Sequence, residues 1–109
     1  MSYRIHITGP AKEDMRDIYC YIAYELENPT AAKNRIAAIQ HAIEQLKHSP
    51  DGALVRNEYL ALKGYRMLVV RSHLIFYVVN KHTREVFVRR IMYGRRDWQR
   101  ILTNDASDI

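Results

Sequence analysis

Residues 64–93 contain three short runs rich in β-branched and aromatic side chains: GYRMLVV (64–70), LIFYVV (74–79) and VFVRRIMY (86–93). RSH separates the first two, and a turn around NKHTRE separates the last two. Such runs with such short connections predict an antiparallel meander. Three strands need a packing partner before they are stable in water. What the first fifty residues supply therefore decides the fold.

They supply one more strand and two helices. YRIHIT (3–8) alternates, with Tyr3, Ile5 and Ile7 on one side and Arg4, His6 and Thr8 on the other, the pattern of a half-buried strand. Gly9-Pro10 ends it and opens a helix in which Glu13 and Asp14 suit the positive end of the dipole. Met15, Ile18, Tyr19, Ile22, Ala23 and Leu26 then recur on one helical face. Asn28 is a fitting N-cap, with Pro29 at the first position of a second helix. Ala32, Ile36, Ile39, Ile43 and Leu46 form its narrow apolar seam. A link of about two residues makes the two helices an antiparallel hairpin.

The order β-α-α-β-β-β predicts an α+β fold. A helical hairpin packs on one face of a small, mainly antiparallel sheet, and DWQRIL adds a short C-terminal helix. Residues 51–63 read as irregular. Residues 1–102 form a single domain, and 103–109 have little to bury and are expected to be a flexible tail. On this reading the second sheet face stays open.

The charge is unevenly placed. The net charge is +5, yet residues 1–50 balance with six Lys/Arg and six Asp/Glu. From Lys63 to Arg100 there are ten basic residues against Glu85 and Asp97. Guanidinium groups in apolar strands cannot enter a core unpaired. Arg66, Arg71, Arg89 and Arg90 are therefore expected, in part, on the open face or its rim. With Arg95, Arg96 and the single tryptophan, Trp98, they are the candidates for binding a polyanion or an acidic protein. Cys20 cannot form an internal disulfide, and no Cys/His spacing points to a metal. No cofactor is expected. No membrane span or leader pattern is visible, and a cytoplasmic location is expected.

The ordered set NPTAAKNRIAAIQHAIEQLKHSP, GYRMLVV, LIFYVV and VFVRRIMYGRRDW resembles the RelE/ParE superfamily of type II toxins, over residues 3 to about 102. The resemblance implies a bacterial toxin silenced by a cognate antitoxin. It also implies one of two targets: RelE-like toxins cleave messenger RNA in the ribosomal A site, and ParE-like toxins inhibit DNA gyrase.

Metal-free RNA cleavage needs a proton acceptor, a proton donor and stabilisation of the phosphorane. Of five RelE-like positions, Arg66 and Arg96 match. The others fall on Leu68, Leu74 and Leu102, although Arg71 or His73 could stand in for Leu74 from the adjacent turn. If the chain is a nuclease, Arg66, Arg96 and His73 are its catalytic candidates. The ParE-like pattern is better matched, by Tyr65-Arg66, Phe76-Tyr77, Arg89 or Arg90, and Gly94-Arg95-Arg96-Asp97. The expected function is a ParE-like gyrase inhibitor. The alternatives are a ribosome-dependent endoribonuclease and a small basic nucleic-acid-binding domain. The expected antitoxin carries an acidic, partly disordered segment that folds onto the helical hairpin and the basic surface.

Overall fold

The computed structural model describes residues 2–107. The elements in chain order are β1 (Arg4–Ile7), α1 (Gly9–Cys20), α2 (Pro29–Gln45), α3 (Glu58–Leu62), β2 (Arg66–Val70), β3 (His73–Asn80), β4 (Glu85–Tyr93) and α4 (Trp98–Ser107). Their sheet order is β1-β4-β3-β2. The last three strands form the expected meander, and β1 joins it in parallel beside β4, with Arg4 opposite Glu85 and Ile7 opposite Val88.

The helical hairpin covers one face. Ala11, Ile39, Ile43 and Leu46 pack on Ile75, Tyr77, Val86, Val88 and Ile91. Asn28 caps α2 by accepting from the Ala31 amide at 3.0 Å. α1 starts at Gly9, as Gly9-Pro10 predicted, with Thr8 as its N-cap. Asp14 therefore lies beyond the first turn, is buried, and does not serve the helix dipole.

The opposite face is not open, which corrects the sequence expectation. Residues 53–55 bond along the start of β2, and Asn57 caps α3 through the Leu60 amide at 3.0 Å. α3 and α4 then lie over this face. Val55, Leu60, Tyr65, Phe76, Met92 and Leu102 form a second buried cluster, with Trp98 and Ile101 packed against it. Successive strand residues face opposite ways, so Phe76 and Tyr77 anchor different cores. α4 also runs through Thr103–Ser107, where a loose tail was expected, and Asp105 pairs with Arg90. Residues 108 and 109 lie outside the described residues.

The end of α1 departs from the expected face. Tyr21–Glu25 form a π-helical turn, closed by the Leu26 amide on the Tyr21 carbonyl at 3.1 Å. One extra residue in a turn rotates the side chains after it away from the α-helical stripe. Ala23 stays buried, while Leu26, expected on that stripe, is exposed.

Candidate functional site

Two turns meet at one end of the sheet. Arg71 and Ser72 link β2 to β3, with Arg71 at φ 56°. Gly94, Arg95 and Arg96 come directly after β4. The Gly94 amide donates to the Ser72 carbonyl at 2.8 Å. A Cβ at Gly94 would stand 3.3 Å from that oxygen, so glycine lets the turns touch. Arg71, Arg95 and Arg96 are all exposed there.

α2 adds a fourth cation that the sequence reading did not single out. Arg35 Nη1 donates to Ser72 Oγ at 2.9 Å and to His73 Nδ1 at 2.8 Å. A guanidinium only donates, so Nδ1 must be unprotonated and His73 is the neutral Nε2–H tautomer. The His73 ring is buried and meets Tyr93 edge-on at 5.8 Å. Burial and then the Arg35 charge hold its pKa below the usual histidine value. The native state thus disfavours the proton that an unfolded histidine takes up near pH 6.5. The His73 contribution should be complete above pH 6.5 and fall as the solution is acidified below it. Urea unfolding at several pH values, compared with His73→Phe, checks this: the variant should lose less stability on acidification.

The remaining candidates lie elsewhere. Arg66 is at the far end of β2, about 13 Å from Val70 at strand rise, and donates to the Gly52 carbonyl. Next to it, the Gly52 amide donates to Tyr77 Oη at 3.0 Å. The proposed catalytic set Arg66, His73 and Arg96 is therefore not brought together. Tyr77 pairs with Val88 and Phe76 with Arg90, so Arg89 is the extra residue of a bulge in β4. It lines a depression of about 600 Å³ with Glu13, Asp14, Asp17 and Asp105, surroundings that oppose a polyanion. Trp98 packs on Phe76 with ring centroids 5.1 Å apart, as a core filler.

Arg90 is not a free cation. Its Nε and Nη2 donate to Asp14 at 2.7 and 3.1 Å, and Nη1 donates to Asp105. Those two carboxylates raise its pKa despite partial burial. Asp14 also accepts the Ile91 amide at 2.8 Å. Thr8 Oγ1 donates toward the Val88 and Arg89 carbonyls at 2.9 and 3.1 Å. These two side chains satisfy β4 where β1 has ended and the bulge breaks the ladder. No local sequence pattern announces this pairing, because 76 residues separate Asp14 from Arg90.

Four arginines on one sheet end can hold an anionic partner. Proton transfer is another matter. Asp97 is engaged with Arg100 at 3.4 Å, and His6, His41, His48 and His82 are exposed on other segments. Leu68, Leu74 and Leu102 all pack into the two cores. Among the described residues, no group of three or more His, Cys, Asp or Glu is placed to hold a metal. Among them, too, no helix is long and apolar enough to cross a membrane.

Solved structures that share this fold include the following three. A chromosomal ParDE toxin–antitoxin system from P. aeruginosa aligns with TM-score 0.70 at 18% identity, covering 84% of this chain and 96% of that one. The toxin–antitoxin complex RelBE2 from Mycobacterium tuberculosis gives 0.61 at 17%, covering 85% and 99%. A mutant of the E. coli toxin RelE in the free state gives 0.69 at 13%, covering 100% and 99%. No curated protein matches the sequence. Residues 5–98 match the family described as ParE toxin of type II toxin–antitoxin system, parDE. The chain therefore belongs to the ParE toxin family, within the RelE/ParE superfamily.

Proposed function

We propose that this toxin acts by binding and inhibiting DNA gyrase, and that it does not cleave RNA. One observation carries the reading: the arginine-rich end has charge, while the acid–base candidates described there, His73, Tyr93 and Asp97, are engaged by Arg35, the His73 ring and Arg100. Its one histidine, His73, is buried with Nδ1 held by Arg35. A buried imidazole beside a cation is a poor proton donor at neutral pH. The three RelE-like positions lacking a polar group are leucines committed to packing, which favours the same side.

A cognate antitoxin with an acidic, partly disordered segment is the proposed second partner. The ParDE and RelBE2 structures are toxin–antitoxin assemblies, which supports this assignment by analogy. Charge opposite Arg71, Arg95 and Arg96 makes the encounter fast and salt-sensitive, and apolar contacts set the lifetime. Both proposed partners imply a toxin that works in the cytoplasm.

The test is inhibition of gyrase supercoiling by pure toxin, run beside ribosome-programmed mRNA. Wild type should inhibit supercoiling and leave the message intact. Arg95→Glu/Arg96→Glu should lose at least about tenfold in potency, since two reversed charges cost on the order of the 1.4 kcal/mol that a decade represents. Cuts within A-site codons that vanish in Arg96→Ala would establish the nuclease reading instead.

A further inference from the structure

The tip of the helical hairpin is an acidic region of a basic protein. Tyr21, Tyr24 and Leu26 are 57, 70 and 56% exposed, three large apolar side chains within six residues. Glu25 and Glu27 lie among them, and Asp17 stands one helical turn before. The π turn creates this surface, because it takes Leu26 out of the buried stripe. Glu27 then reverses the chain at φ 51°. The Asn28 amide closes the turn on the Ile22 carbonyl at 3.1 Å.

The tip also lies at a telling place. Arg35 reaches the β2–β3 turn, and the first turns of α2, with the tip before them, lie on its N-terminal side. The tip and the end that presents Arg71, Arg95 and Arg96 are thus linked through α2 and Arg35. One partner can touch both. Carboxylates beside the tyrosines repel phosphates, which argues against nucleic acid at the tip. They also repel an acidic antitoxin segment. Exposed aromatic side chains ringed by charge are the composition of a protein-binding hot spot.

We infer that the tip is a second contact with the target protein: Tyr21, Tyr24 and Leu26 enter an apolar depression whose rim carries Lys or Arg facing Glu25 and Glu27. This rests on the reading of the chain as a toxin that works by binding a protein. The target then has two patches of opposite charge, an acidic one for the arginines and a basic-rimmed apolar one for the tip. The acidic antitoxin segment, expected along the hairpin and the basic surface, would stop short of the acidic tip.

The experiment compares wild type, Tyr21→Ser/Tyr24→Ser, Glu25→Lys/Glu27→Lys and the conservative Glu25→Asp/Glu27→Asp. Each is assayed for growth arrest at equal intracellular abundance, for supercoiling inhibition, and for binding to the co-encoded antitoxin. Circular dichroism checks the fold. The serine and lysine variants should lose at least tenfold in potency, the aspartate variant should keep it, and antitoxin affinity should stay within twofold throughout. Potency within twofold of wild type in both the serine and lysine variants overturns the inference. So does a parallel loss of antitoxin binding, which would make the tip an antitoxin contact. If wild type arrests growth without inhibiting gyrase, the gyrase reading fails, and growth arrest by the variants still decides the role of the tip. A wild type that does not arrest growth overturns both.

Discussion

Arg90→Ala should lower the unfolding free energy by about 3–5 kcal/mol, the range for removing one partner of a buried ion pair. The Arg90 side chain is 16% exposed and Asp14 only 9%. Truncation leaves the Asp14 carboxylate out of water with the Ile91 amide as its one remaining partner among the described contacts. The Asp105 arm adds less, because that carboxylate is 43% exposed and solvent screens it. Arg90→Lys should recover part of the loss, since an ammonium supplies the charge but not the two-pronged geometry. Urea unfolding tracked by circular dichroism measures both. Small domains hold about 5–15 kcal/mol in all, so Arg90→Ala should sit near the edge of folding. A loss under about 1 kcal/mol, the scale of an exposed pair, would show that the pair does not hold α1 and α4 to the sheet.

Phe76→Ala should cost a similar amount, about 3–5 kcal/mol, by emptying the centre of the second core. Phe76 has no solvent exposure, and Leu60, Tyr65, Met92 and Leu102 close around the same cluster. The single tryptophan reports on this site directly, because Trp98 packs at a tilt against the Phe76 ring. Its emission should shift to the red in Phe76→Ala under native conditions, as α4 loosens over the cavity. Ile39→Ala, a substitution in the helix-covered core, should destabilise the protein without that shift. An unchanged spectrum in Phe76→Ala would mean that α4 does not depend on the second core.

These two residues mark where sequence patterns inform and where they fall short. The element order, the hairpin seam from Ala32 to Leu46 and the caps at Asn28 and Pro29 are local signals, and local signals are legible. The second core was hidden for a physical reason. Leu60 belongs to a helix of only five residues, too short to show a period, and Leu102 belongs to α4, of which the sequence reading marked only the first turns. Their burial comes from the tertiary fold. Arg90 reads in sequence as a surface cation because its neutralising carboxylates are remote along the chain. Arg95 and Arg96 were legible because a glycine-containing turn after a strand is exposed by default. Arg35 was missed because a lone arginine on a helix gives no sign of the turn it reaches. The π turn was missed for a related reason: its sequence, YIAYE, still reads as ordinary helix.

The strand order sets a timetable for synthesis. β4 lies between β1 and β3, so the first strand of the chain has no sheet neighbour until residues 85–88 exist. A pairing that spans some 80 residues raises the contact order of the fold and slows its closure. While the ribosome is still adding β4, the meander is incomplete, β1 has nowhere to dock, and Asp14 awaits Arg90. The finished cationic end, bounded by Tyr93 and Gly94, is thus assembled late, with only α4 to follow. The turns that carry Arg71, Arg95 and Arg96 can meet only once Gly94 is available to bond the Ser72 carbonyl.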